Sequence, residues 1–293
     1  MAERFEHIGV IGSGLMGSGI TEVCARAGLD VTVVEVDASA AEMGRARIEG
    51  SLATAVRRGK LSEEDSERAL TQIRYETDLG TLADRELVIE AITEDEQAKI
   101  ATFRALDRIV ESENAILASN TSSIPIMKLA TVTNRPEQVI GLHFFNPVPV
   151  LRLVELVTSL LTSDVTIDRA TLLATETLDK RVIRSQDRAG FIVNALLIPY
   201  LLSSVRMLES GFATRDDIDA GMTEGCAHPM GPLTLSDLIG LDTMKAVAES
   251  LYEEFKEPLY APPPLLLRMV EAGLLGRKSG RGFYEYSPKA PAR

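Results

Sequence analysis

The chain has 293 residues, 45% hydrophobic and 25% charged, an ordinary globular composition with length enough for two domains. A net charge of −12 excludes a general nucleic-acid binder, so any anionic ligand must meet a local basic patch. Cys24 and Cys226 stand in unrelated contexts with neither disulfide nor metal spacing, which predicts a reducing, cytoplasmic setting and no metal site.

In chain order, the apolar run 7–12 reads as a strand, followed by a small-residue helix over about 14–27. The β-branched run 31–36 is a second strand, and 38–58 is helical in composition. Ser62 and Asp65 frame a capping box that opens another helix. Strands follow at 86–92, 115–119, 139–145 and 151–157, with helices between most of them. Such a rhythm with largely apolar strands predicts a doubly wound, mainly parallel α/β sheet over 1–186. Past Gln186 the pattern becomes helical throughout, with breaks at Gly211, at His228–Pro232 and at 262–264, and this defines a second, all-helical domain over 187–293. Residues 191–208 are apolar nearly all round, which predicts burial in a core or a subunit interface. The apolar stretch there is interrupted by Asn194 and Pro199 and falls short of the ~20 residues that span a bilayer, so no membrane association is expected. No charged and then apolar segment opens the chain, so no signal peptide is expected either.

Gly12, Gly14 and Gly17 form G-x-G-x-x-G between the first strand and the first helix. The first glycine permits a tight turn, the second lets backbone approach a pyrophosphate, and the third lets helix pack on strand. With Leu15 and Met16 they make a dinucleotide loop at a helix N-terminus. Asp37, just past the second strand, has the spacing of the acid that holds the adenosine ribose. Glu35 competes for that role, although it lies inside the strand pattern. Asp37 is followed by Ala-Ser-Ala-Ala rather than arginine, which favours NAD over NADP.

His143 stands directly before two phenylalanines, and Glu155 sits between Val154 and Leu156. Two ionisable groups in strand-like apolar sequence suggest a buried acid–base pair. Histidine has the pKa range for moving a proton near neutrality, and a carboxylate can fix its tautomer.

The glycine loop, VIEAITED, ASNTSSIPI, GLHFFNPVPVLRLVEL and GFIVN occur in that order. Together they resemble the L-3-hydroxyacyl-CoA dehydrogenases, over about 8–286. The resemblance implies an N-terminal Rossmann-type domain followed by an all-helical C-terminal domain that forms a homodimer. It implies NAD-dependent interconversion of L-3-hydroxyacyl-CoA and 3-ketoacyl-CoA, with short acyl chains favoured. Residue by residue, it makes His143 the catalytic base and Glu155 its orienting carboxylate. Ser122 becomes the partner of the substrate's C3 oxygen, and Asn194 the amide beside histidine and substrate. Glu94, Lys99, Asn146 and Lys278 become cofactor contacts, and Ser51 and Arg58 contacts of coenzyme A. The basic stretch Arg45, Arg47, Arg57, Arg58 and Lys60 then supplies the patch that the acidic chain needs.

Other readings stand beside these. Ser122, or its neighbour Ser123, suits a cap on a helix starting near Ile124, and Lys278 suits a solvated loop. The chain departs from the family pattern with Ala189 before Gly190, Ala195 after Asn194, and Arg58 in place of lysine. A dehydrogenase of free hydroxy or sugar acids on a related scaffold is the competing enzyme, although GFIVNA lacks the lysine such enzymes use. An NAD-binding structural protein is the competing non-enzyme.

Overall fold

The computed structural model describes residues 4–286. The chain forms two compact units, one running through Arg188 and one from Ala189 onward.

The first unit is built on an eight-stranded sheet. Its strands are β1 (His7–Ile11), β2 (Asp30–Val34), β3 (Ile73–Glu76), β4 (Leu87–Glu90), β5 (Ile116–Ser119), β6 (Val139–Phe144), β7 (Leu153–Thr158) and β8 (Arg181–Gln186). Their spatial order is β3-β2-β1-β4-β5-β6-β7-β8. All neighbours are parallel except β6 and β7, which run antiparallel. The chain order reverses between β1 and β4, the switch point at which ligands bind in sheets of this class. Strands β4, β5 and β6 are buried at every position, as expected of apolar runs covered on both faces. Strands β3 and β8 lie at the edges and alternate half-buried with exposed residues, so neither carries the apolar signature.

Helices α1 (Leu15–Arg26), α2 (Ala38–Arg57), α3 (Glu63–Thr71), α4 (Glu96–Ile109), α5 (Ile126–Ala130) and α6 (Asp164–Leu172) link the strands. Local chemistry sets most of their starts. Asp37 accepts from Ala40 N–H at α2, Ser62 from Asp65 N–H at α3, and Asp95 from Ala98 N–H at α4. The doubly wound, Rossmann-type reading of this half holds.

The second unit is helical, with α7 (Val193–Glu209), α8 (Arg215–Gly225), α9 (Pro232–Ile239), α10 (Leu241–Phe255) and α11 (Pro264–Glu271). Its core joins Leu201, Leu202 and Val205 of α7 to Leu233, Met244, Leu251 and Leu266. Within one chain helix α7 is not buried all round, so of the two settings its composition allows, a core accounts for only part of its surface. Leu196 is 72% exposed, and Ile192 and Met207 are exposed beside it. Ala189, where the family pattern has proline, donates its N–H to Glu254 Oε2 at 2.9 Å, a bond that proline cannot make.

Candidate active site

Antiparallel pairing sets His143 of β6 directly opposite Glu155 of β7. Opposed residues of such a pair project to one face with Cβ atoms ~4.5–5.5 Å apart, close enough for their side chains to bond. His143 Nδ1 lies 2.7 Å from Glu155 Oε2. Glu155 is completely buried and His143 only 6% exposed. The Phe145 ring packs against the imidazole at 4.6 Å between centroids. Burying either group alone would be costly, and each supplies the other's partner.

The loop after β5 reaches the same sheet edge. Asn120 Oδ1 accepts the Phe144 N–H at 2.9 Å, tying this loop to the end of β6. Glu94 then gathers the next three residues. Its Oε1 accepts the Thr121 hydroxyl at 2.5 Å and the N–H groups of Ser122 and Ser123 at 2.9 and 3.1 Å. The hydroxyls of Ser122 and Ser123 lie 3.3 and 3.0 Å from the same oxygen. Burial pushes the Glu94 carboxyl up, but Lys99 and these donors outweigh it and hold it below the usual carboxylate range.

Lys99 underlies this arrangement, only 1% exposed. Its ammonium is 2.5 Å from Glu90 Oε1 and 3.3 Å from Glu94 Oε2. Glu90, wholly buried at the end of β4, also accepts the Ser119 hydroxyl at 2.6 Å and the Ile92 N–H at 2.8 Å. Lys99 therefore serves two carboxylates that order the loops after β4 and β5. Ser122 does not cap a helix. The first N–H groups of α5, from Ile126 and Met127, donate instead to Asp187 at 2.8 and 2.7 Å.

The glycine loop fits a dinucleotide, position by position. Gly12 has φ +90°, and a Cβ there would come within 2.7 Å of the Ala91 carbonyl oxygen. A Cβ on Gly17 would fall 1.9 Å from the Gly12 oxygen, so helix and loop touch there. Around Gly14, by contrast, a Cβ would meet nothing within 4 Å, which leaves room for a pyrophosphate at the N-terminus of α1. Leu15, the first residue of α1, is 64% exposed beside that opening, and Met16 packs against the core.

The two candidate ribose acids differ in what they do. Asp37 caps α2, accepting the Ala40 N–H at 2.8 Å. Glu35, one residue past β2, accepts the backbone N–H of Ser13 in the glycine loop and the Ser13 hydroxyl at 2.9 Å. Its carboxylate thus adjoins the glycine loop, the side on which a ribose acid stands in folds of this class.

On α2, Ser51 is half-buried beside Glu22, while Arg58 ends the helix exposed. Arg47 turns to the Ser13 carbonyl at 3.0 Å, and Arg45 stacks over Tyr75 at 4.8 Å. The expected basic patch therefore shrinks to Arg57, Arg58 and Lys60. Asn146 is exposed beyond β6. Asn194 and Lys278 belong to the second unit, Asn194 half-buried in the first turn of α7 and Lys278 paired with Asp242 at 2.5 Å.

The buried residues Glu90, Ser119, Thr121 and Ser123, together with Asn120, were not among the predicted site residues. All five lie inside the quoted motifs, but only pairing across β4, β5 and β6 gives them roles.

Residues 7–188 match the model of the 3-hydroxyacyl-CoA dehydrogenase NAD binding domain, and residues 190–286 that of the 3-hydroxyacyl-CoA dehydrogenase C-terminal domain. The chain is 57% identical to a 3-hydroxybutyryl-CoA dehydrogenase of Mycobacterium tuberculosis, covering 98% of this chain and 100% of that protein. The crystal structure of M. tuberculosis FadB2 superposes with a TM-score of 0.96 at 57% identity, covering 97% of this chain and 100% of that one. The (S)-3-hydroxybutyryl-CoA dehydrogenase PaaH1 of Ralstonia eutropha superposes with a TM-score of 0.91 at 46% identity, again over 97% and 100%. With both halves matched and this identity sustained along its length, the chain belongs to the 3-hydroxyacyl-CoA dehydrogenase family of NAD-dependent oxidoreductases.

Proposed function

We propose that the chain oxidises short L-3-hydroxyacyl-CoA esters, 3-hydroxybutyryl-CoA foremost, to the 3-keto esters and catalyses the reverse reduction. The observation that carries this reading is the buried His143–Glu155 pair, with Nδ1 and Oε2 2.7 Å apart. The names of the relatives support the short acyl chain.

In this reading His143 moves the proton. With Nδ1 committed to Glu155, proton transfer from the C3 hydroxyl falls to Nε2. Glu155 accepts the Nδ1 hydrogen, fixes the tautomer and stabilises the imidazolium that forms. The Ser122 hydroxyl, held at the rim of the Glu94 cluster, bonds the C3 oxygen without titrating. Glu94 stays ionised and keeps the 121–123 loop in one conformation. Gly12, Gly14, Gly17 and Glu35 hold the dinucleotide, whose nicotinamide, when bound, supplies the acceptor for the C3 hydrogen and its electron pair. In the reverse direction the His143 imidazolium returns its proton to the ketone oxygen.

The exposed apolar side chains Leu196, Met207 and Phe212 support a homodimer formed through the helical unit. Two free thiols support a cytoplasmic setting, and no helix among the described residues is long and apolar enough to cross a membrane.

The test is NADH oxidation with acetoacetyl-CoA, free acetoacetate and longer 3-ketoacyl-CoAs in parallel. Turnover confined to thioesters, fastest with acetoacetyl-CoA, is expected. Turnover of acetoacetate alone, or NADH binding without any turnover, would sink the reading.

A further inference from the structure

A cleft of about 370 Å³ opens on the first unit between α1, α3 and the segments preceding β7 and β8. Arg26, Arg68, Arg152 and Lys180 line it, with Asp65 and Asp179, and the buried Glu22 pairs with Arg26 just behind the wall. Four cations against three carboxylates leave it net positive by one, on a chain whose net charge is −12. Such a patch runs against the field of the rest of the molecule.

Lys180 is the least ordinary member. It is 7% exposed, and its ammonium donates to the carbonyls of Val148 at 2.6 Å and Leu151 at 2.8 Å. No carboxylate pairs with it among the described residues, and an ammonium has three hydrogens to place. A buried cation satisfied only by carbonyls gains most from an incoming anion. Burial, and then the neighbouring Arg26, depress its pKa, as expected of an ammonium short of negative charge.

The three guanidinium groups define which anion. Their planar forks match the oxygens of a phosphate better than a lone carboxylate can. Arg26 reaches Glu22 at 3.3 Å, Arg68 pairs with Asp65, and Arg152 reaches Asp179 at 2.7 Å, so all three are oriented before any ligand arrives. Leu61 and Pro149 add apolar wall, room for an organic group beside the phosphate.

We propose that this cleft is a binding site for a phosphate monoester. Two sources share that chemistry, a free phosphorylated metabolite and the phosphates of coenzyme A. The second source rests on the dehydrogenase reading. It draws on continuity, since Ser51 of α2 lies beside Glu22, which pairs with Arg26 at the cleft.

The test titrates adenosine 3′,5′-bisphosphate and inorganic phosphate calorimetrically into protein saturated with NADH, which fills the dinucleotide loop. Because Lys180 also holds the loop before β7, the variants are Arg68→Gln/Arg152→Gln together and Arg152→Gln alone, at side chains 60% and 69% exposed. The double variant is expected to bind the bisphosphate at least tenfold more weakly, with melting temperature and NADH affinity unchanged. If the phosphate is the substrate's own, KM for acetoacetyl-CoA rises in step and KM for acetoacetyl-pantetheine, which lacks the phosphates, does not. If it belongs to a separate metabolite, both KM values stay, and bisphosphate still binds under saturating acetoacetyl-CoA. Absence of binding to wild type, or equal affinity in wild type and variants, overturns the proposal. Binding that follows the arginines in a protein that turns over neither thioester would remove the dehydrogenase reading and leave the site standing.

Discussion

His143 and Glu155 face one another across the only antiparallel strand pair among the described residues, with Nδ1 2.7 Å from Oε2 and the carboxylate wholly buried. If this pair performs the proton transfer, His143→Ala lowers kcat by ~10²–10⁴-fold, the usual contribution of a positioned base. Glu155→Gln keeps the volume and removes the charge, so kcat also falls. In both variants the affinity for NADH, measured by fluorescence titration, stays at the wild-type value. Substantial residual turnover in His143→Ala would assign the base elsewhere.

Gly14 and Gly17 separate cofactor binding from folding. A Cβ at Gly14 meets no protein atom within 4 Å, and the backbone there has φ −60°, which any residue adopts. Gly14→Ala is therefore expected to melt like wild type while binding NADH much more weakly. Gly17→Ala places its methyl 1.9 Å from a backbone oxygen, so its melting temperature drops as well. Equal NADH affinity in Gly14→Ala and wild type would mean that the pyrophosphate lies elsewhere.

Glu35 and Asp37 predict a second division of effects. Asp37→Ala removes the cap of α2 and costs ~1 kcal/mol of stability, with the KM for NADH unchanged. Glu35→Ala raises that KM several-fold, because its carboxylate adjoins Ser13 of the glycine loop. Denaturant melts and NADH kinetics on the two variants check both arms. The reverse pattern would restore Asp37 as the ribose acid.

The Glu94 cluster predicts a pH effect of definite sign. A carboxyl held below its ordinary value of 4.5 stabilises the fold above that pH, and the contribution is lost as pH falls through the lowered folded-state value. Unfolding free energies of wild type and Glu94→Gln should thus differ at neutral pH and converge in acid below 4.5. A gap independent of pH would show that charge on Glu94 does not hold the 121–123 loop.

Much of this molecule is legible in local sequence. Central strands such as β4 and β6 are covered on both faces, so burial writes itself as an unbroken apolar run. Caps at Ser62 and the turn at Gly12 involve residues a few positions apart, and their chemistry shows in the string. The edge strands β3 and β8 do not, because one side of each meets solvent and charges such as Arg74 and Arg184 interrupt the pattern.

Register decides the remainder. Whether Glu35 or Asp37 faces the glycine loop depends on where β2 ends: residues two apart share a face only while the strand lasts, and past Val34 the chain turns so that Asp37 caps α2 instead. Lys99 is a cofactor contact only by resemblance, and its burial between two carboxylates comes from β4 ending where Glu90 lies beneath α4. The arginines of α2 form one basic patch on paper, but two of them are drawn off to Ser13 and Tyr75 by packing. Residue types and their spacing determined which chemistry this chain can carry. The antiparallel return from β6 to β7 alone decided that His143 and Glu155 stand bonded side by side, since pairing between strands is a contact that local pattern does not encode.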